Sequence, residues 1–316
     1  MSETKPLKQT DSTETKKKFS ISFSTNILKI IAIISMTLDH IGYVMTNLYP
    51  DINTRYVAYA FRIVGRIALP LIIFILIEGL SKTKNIKAYL LRLGISCIVI
   101  YFGFILVQAF FDTSLNFEGN IFITLFLLSL SYYFLFKSKH QWMVIIPIAY
   151  FLLSYGLMMP FFMKYYIPQE FSFFIYLNGL YCQYTLLAPL LFFTTLLSYK
   201  IYDKKIAKTL AGDEKLIEEF KSTKDYQRSK NILASIIIVI FSLICYLVTY
   251  LPNYEGSISG VIDFALLTYM ILACLFILFY SGKRGFKTKI TQYGFYIYYP
   301  LHIVIIIFVF WLIYHY

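Results

Sequence analysis

The sequence predicts an all-α integral membrane protein, a bundle of about nine (8–10) transmembrane helices with a polar interior. Three observations carry that expectation. Of 316 residues, 59% are hydrophobic and only 15% charged, with a mean hydropathy of +0.66; a soluble domain of this size has too little interior for so much apolar surface. The apolar residues gather in runs long enough to cross a hydrocarbon core, which takes roughly 20 residues per helix. The positive charges gather in short segments between those runs, the pattern that orients membrane proteins.

Residues 1–26 are polar and rich in Ser, Thr and Lys, and read as a disordered tail. They are too long and polar for the n-region of a signal peptide, and no small-residue cleavage site follows the first apolar run, which is therefore expected to stay as an anchor. Nine segments then qualify as spans: 27–48, 57–80, 88–110, 119–136, 141–163, 174–199, 231–251, 258–280 and 291–314. The sixth is ambiguous, because residues 168–189 suit either one long tilted helix or a re-entrant piece followed by a span. Residues 27–316 form one multi-span domain interrupted at 200–230. That insert mixes both charge signs and is expected as a cytoplasmic helix on the membrane surface. No internal repeat is visible, so the inverted-repeat signature of many transporters is missing.

Lys and Arg fix the orientation. Five lie in 1–26, three in 81–87, two in 137–140, nine in 200–230 and four in 281–290, against only Arg55 and Lys164 in the alternate loops. A bias of 23 to 2 puts the tail in the cytoplasm and Tyr316 outside. It also disposes of nucleic acid as the reason for the net charge of +12. The implied location is a bacterial inner (plasma) membrane, crossed many times. Cys97, Cys182, Cys245 and Cys274 all lie in apolar runs without a C-x-x-C pair, and read as small packed hydrophobes.

Inside the spans stand Lys29, Asp39, His40, Arg62, Arg66, Glu78, Arg92, Asp263 and His302. A charge in hydrocarbon must be paired or functional, and this many suggest a polar route through the bundle. Lys29 and His40 are eleven residues apart, about three turns, so they share a helix face about 16 Å apart. Depth sorts the set into an inner group (Lys29, Glu78, Arg92) and a deeper or outer one (Asp39, His40, Arg62, Arg66, Asp263, His302). Glu78 and Arg92 invite pairing across spans two and three. Arg62 and Arg66, one turn apart, repel unless Asp39, Asp263 or an anionic ligand lies between them. Pro300 can kink the last span beside His302. His40 has the side chain best suited to moving protons near neutral pH. No G-x-S-x-G, Walker A, G-x-G-x-x-G or H-E-x-x-H motif occurs, and His40, His140, His302 and His315 are too dispersed to predict a metal site.

The series Leu28-Lys29, Met36, Asp39-His40 and Gly42, then Arg62, Gly65-Arg66, Ala68, Pro70 and Glu78-Gly79, resembles the TraX family. Thr83-Lys84-Asn85, Tyr89, Arg92-Leu93 and Tyr299-Pro300-Leu301-His302 continue the likeness, which is dense over 27–93 and returns at 293–302. TraX proteins are linked to N-acetylation of conjugative pilin and are distantly similar to type-three membrane acyltransferases. In that larger group a basic residue, ten positions and a histidine mark the first span, as Lys29 and His40 do here. The resemblance implies acetyl-CoA or another acyl-CoA as donor, His40 as catalytic base and Lys29 as a donor-holding residue.

With that chemistry in mind, the inner cations Lys29 and Arg92, with Glu78, would hold the donor at the cytoplasmic mouth. His40, oriented by Asp39, would deprotonate an acceptor; Arg66 or Arg62 would steady the oxyanion, with His302 at the same depth. The acceptor would be an envelope glycan hydroxyl or an exported protein or peptide amine. A proton-coupled transporter using Asp39, His40 and Asp263 is the alternative, and a scaffold with internally paired charges is a third.

Overall fold

The computed structural model describes residues 22–48, 52–111, 119–158, 180, 182–250, 266–286 and 288–315. Asp263, all of 168–179 and residues 1–21 lie outside them. Among the described residues the structure is helical, with two isolated bridges, Phe23 to Tyr280 and Asn120 to Cys182, in place of any sheet.

The order is α1 (Thr25–Leu48), α2 (Ile52–Gly65), α3 (Ala68–Lys82), α4 (Ile86–Phe111), α5 (Ile121–Phe136), α6 (Ile145–Met158), α7 (Leu187–Thr209), α8 (Glu214–Lys221), α9 (Lys224–Tyr250), α10 (Cys274–Ile277) and α11 (Lys289–His315). Short 3-10 turns, Gln141–Val144 and Thr268–Ala273, lead into α6 and α10. Five helices are long and apolar enough to cross a membrane: Thr25–Thr46, Thr54–Lys82, Ile86–Gly103, Lys224–Val248 and Gly294–Ile313. Three more apolar helices are shorter, at Ile121–Phe136, Gln141–Tyr155 and Thr268–Ile277. The all-helical membrane architecture stands, but nine full spans are not reached among the described residues.

The second span is two helices. Pro70 has no N–H to give the Arg66 carbonyl, so the chain breaks one turn earlier, between Gly65 and Ala68. This run is also the centre of the bundle. Its most apolar window is 67% buried, against 17% for Ile86–Gly103 of α4. On α4, Leu91, Ile95, Ile98 and Phe102 recur at helical spacing and are all more than half exposed, an outward stripe suited to lipid. Leu71, Ile73 and Ile77 of α3 pack with Phe122, Leu128, Phe192 and Met270 in the core.

Two glycines set the α1–α2 approach. A Cβ on Gly42 would come within 2.6 Å of the Ala58 carbonyl oxygen, and one on Gly65 would overlap Asp39. Small residues let helix backbones come this close where lipid supplies no hydrophobic drive. At the other end of α1, Phe23 donates to the Phe279 carbonyl (2.8 Å) and Thr25 to that of Lys283 (2.9 Å), while Ser281 donates back to Phe23 (2.9 Å). Residues 22–26, expected as part of the tail, are therefore fixed against 279–286. The 200–230 insert is a helical elbow: α7 runs on to Thr209, Asp213 caps α8, and α9 starts at Lys224.

Candidate functional site

Two buried polar clusters lie along the α2–α3 run. At its far end, Glu78 is 2% exposed and meets Lys230 of α9 and Lys82, each at 2.6 Å. Lys230 also lies over the Tyr199 ring, 4.5 Å from its centroid, and the Tyr226 ring at 5.7 Å. Pairing of Glu78 with Arg92 does not occur. The sequence places Lys230 among the loop charges, yet α9 begins early enough to carry it inward, leaving it 7% exposed.

Beside Glu78 opens a cavity of about 470 Å³ lined by Lys29, Lys82, Arg92 and Arg284, with Tyr89 and Tyr296 on its aromatic wall. The inner group read from the sequence is thus brought together, with Arg284 added from the 279–286 segment. Glu78 is committed to Lys82 and Lys230. Lys29, Arg92 and Arg284 have no carboxylate partner among the described residues, although Arg92 lies over the Tyr89 ring at 5.7 Å.

The second cluster sits where α1, α2 and α11 meet. Asp39 accepts from Arg66, which is 6% exposed, and lies 3.9 Å from the Arg62 Nε. The two arginines tolerate their i, i+4 spacing because one carboxylate is shared between them. Arg66 is further held by its Nε–H to the Arg62 carbonyl (3.3 Å) and donates to the Tyr184 hydroxyl (3.4 Å). Arg62 stacks over Tyr43, 5.3 Å from its centroid.

His40 does not lean on Asp39. Consecutive residues on a helix point about 100° apart, so Asp39 turns to α2 while His40 turns to α11. There its Nδ1 meets His302 Nε2 at 2.8 Å, and His302 Nδ1 meets the Tyr298 carbonyl oxygen at 3.0 Å. A carbonyl only accepts, so His302 carries its hydrogen on Nδ1 and offers the Nε2 lone pair to His40. With both rings neutral, one arrangement satisfies both bonds: His40 holds its hydrogen on Nδ1 and keeps an unprotonated Nε2. That Nε2 has no hydrogen-bond partner among the described residues. Tyr298 stacks on His302 at 5.1 Å and donates to or accepts from Thr37 (2.7 Å), and Tyr299 sets its edge against both imidazoles.

Tyr184 escaped the sequence reading. It adopts φ +56°, in the left-handed region that bulky residues avoid at a cost of about 1–3 kcal/mol. Its neighbours hold it there: the Cys182 N–H donates to Ser154 Oγ and Thr124 Oγ1 donates to the Gln183 carbonyl, both at 2.8 Å. An ambiguous span was the only sequence signal in this region.

Among the described residues the cavity does not extend to the histidines as a continuous polar route. The cavity reaches Ala32 on α1 and Phe295 and Tyr296 on α11, about two turns short of the histidines. Phe122 packs against Phe295, Tyr296 and Tyr299, and so stands between the two places. Among the described residues no three His, Cys, Asp or Glu side chains cluster as metal ligands.

A family model described as TraX protein matches residues 24–204. The chain is also 27% identical over 304 residues to the probable fimbrial assembly protein FimC, serogroup H1, of Dichelobacter nodosus, covering 91% of this chain and 96% of that protein. No solved structure matches.

Proposed function

The chain belongs to the TraX family, and from that premise we propose that it is a membrane-embedded acyltransferase. It takes an acyl group, acetyl in the simplest case, from cytoplasmic acyl-CoA and gives it to a pilin-like amine or an envelope glycan hydroxyl. The similarity to a fimbrial assembly protein favours the first acceptor. The observation that carries the reading is the His40–His302 pair, whose bond to the Tyr298 carbonyl leaves His40 Nε2 unprotonated, with its lone pair free to accept.

The steps balance as follows. His40 Nε2 takes the proton as the acceptor nitrogen or oxygen attacks the thioester carbonyl, forming a C–N or C–O bond and an oxyanion. The oxyanion collapses, the C–S bond breaks, and the thiolate leaving as CoA recovers the proton from the His40 imidazolium. His302 positions His40 by fixing its tautomer. Arg66, locked to Asp39 and Tyr184, supplies fixed charge beside the rings.

Lys29, Arg92 and Arg284 would receive the donor's phosphates in the 470 Å³ cavity, which holds cations in excess of its one carboxylate. Glu78, paired with Lys82 and Lys230, supports that wall without facing the donor as a free charge. The 23-to-2 basic bias supports a cytoplasmic cavity in a bacterial inner membrane, with the N-terminus inside. Only the acyl arm would pass the Phe122 and Tyr299 rings to reach His40.

Purified protein in liposomes, given radiolabelled acetyl-CoA and a peptide bearing a pilin N-terminus or an envelope glycan fraction, tests this. The expected result is CoA release with label on the acceptor, dependent on His40. No release with any acyl-CoA, with acceptor present, would overturn it.

A further inference from the structure

The cavity and the histidine pair lie on opposite sides of a thin wall, and two helices measure its thickness. Along one face of α1, Lys29 and Ala32 line the cavity, Met36 is buried in the core, and His40 joins the pair. Along α11, Phe295 and Tyr296 line the cavity, Tyr299 is 3% exposed, and His302 joins the pair. Each helix passes from cavity to histidine in about two turns, roughly 10 Å, with Met36 and Tyr299 at the level between.

Phe122 of α5 closes that level. It is fully buried, and its ring centroid lies 5.1 Å from that of Tyr299 and 6.0 Å from those of Phe295 and Tyr296. These are contact distances for aromatic rings. The Phe122 ring therefore touches the cavity lining on one side and Tyr299 on the other, and Tyr299 sets its edge against both imidazoles. The main chain under Phe122 is pinned. Asn120 caps α5 by accepting from the Phe122 N–H (2.9 Å) and donates to the Cys97 carbonyl of α4 (3.2 Å). What can move is the ring, by rotation about its own side-chain torsions.

We infer that Phe122 is a specificity-determining residue, a gate whose ring admits unbranched acyl groups to His40 and turns back branched ones. This rests on the acyltransferase reading above and adds to it the class of acyl group. Phosphates held by Lys29, Arg92 and Arg284 keep the donor's head in the cavity, so the acyl end leads through the wall. A straight chain is no wider than the arm that carries it. A branch beside the carbonyl adds a methyl group to the leading cross-section, and close-packed rings leave no room for it.

Propionyl-CoA and isobutyryl-CoA test this in the reconstituted assay, because their acyl groups have the same length and differ by one branching methyl. Wild type should prefer propionyl by about 10–200-fold in kcat/KM, the range for one methylene-sized group in an apolar site. Phe122→Ala should bring the two donors within about threefold of each other, with Phe122→Leu between. Isobutyryl transfer by Phe122→Ala should vanish when His40→Ala is added, as it must if the wider group arrives at the same base. A wild type that uses both donors alike, or that accepts acetyl and rejects propionyl as strongly as isobutyryl, would overturn the gate. So would a preference unmoved in Phe122→Ala, or isobutyryl transfer that survives His40→Ala in a protein whose acetyl transfer needs His40. Emptying a buried site costs stability; should the alanine variant not fold, an unmoved preference in Phe122→Leu overturns the gate equally. A wild type inactive with every acyl-CoA would overturn the acyltransferase reading and the gate together.

Discussion

The carboxylates of Glu78, buried, and Asp39, half-buried, lie along the same α2–α3 run, and each is shared between two cations. Their surroundings differ in kind. Around Glu78, one ammonium is enclosed by tyrosine rings and the other is bonded to the Gly282 carbonyl. Around Asp39, the paired charges stand beside an imidazole with an unprotonated nitrogen and a tyrosine held in a strained backbone. Buried charge is therefore not by itself a sign of chemistry. The Glu78 cluster ties α3 to α9, whereas the Asp39 cluster adjoins an imidazole nitrogen that has no hydrogen-bond partner among the described residues.

Substitutions that separate activity from stability sharpen this contrast. The largest expected effect is at His40. His40→Ala should lower turnover about 10²–10⁴-fold, the range for loss of a general base, while thermal unfolding in detergent stays near wild type. Retention of more than about a tenth of wild-type turnover would remove His40 as the base. Glu78→Ala should do the opposite: leaving Lys230 buried without its partner costs about 3–5 kcal/mol, read as a large drop in melting temperature, with the kcat of the protein that remains folded little changed. The double variant Glu78→Leu with Lys230→Met should recover most of that stability, since a buried pair replaced by apolar residues is often neutral. A double variant as unstable as Glu78→Ala would mean that the ion pair, and not relief of its desolvation, holds α3 to α9.

Between the two regions stands the α1–α2 crossing. Gly65→Ala would place a methyl group on Asp39 and force the backbones apart, costing about 1–3 kcal/mol as overpacking does. Because Asp39 anchors Arg66, kcat should fall with stability. If Gly65→Ala loses stability with kcat unchanged, the Asp39–Arg66 pair is structural in the way the Glu78 cluster is.

Sequence made some of this arrangement legible and hid the rest for identifiable reasons. Lys29, Glu78 and Arg92 share a cavity as expected, because span direction and helical rise fix depth. The pairing of Asp39 with His40 misled, since adjacency along a helix separates side chains by about 100°. Lys230 looked like a loop charge because 200–230 mixes both signs, and only the start of α9 at Lys224 reveals that it turns inward. Tyr184 meets Arg66 across 118 residues, and a local pattern does not report a contact of that kind. Nine spans were counted from apolar runs alone. Among the described residues three of those runs are shorter helices, Ile121–Phe136, Gln141–Tyr155 and Thr268–Ile277, because hydropathy does not register where backbone hydrogen bonding starts and stops a helix.

The smallest expected effect tests whether the cavity beside Glu78 serves the histidines at all. Lys29, Arg92 and Arg284 line it as cations without carboxylate partners among the described residues, two or more turns from His40. Groups that hold a donor by its phosphates bind ground state and transition state alike, so their loss should raise KM and spare kcat. Lys29→Ala or Arg92→Ala should raise the KM for acetyl-CoA about tenfold, equivalent to about 1.4 kcal/mol, and change kcat by less than about threefold. His40→Ala should show the reverse split. Phosphates do not cross hydrocarbon, so acetyl-CoA should react with inside-out vesicles and not with sealed right-side-out ones. Equal reaction from both faces would sever the cavity from the route proposed for the donor. A fall in kcat with unchanged KM in Lys29→Ala would instead make Lys29 part of the reacting centre, and the two regions would no longer divide binding from chemistry.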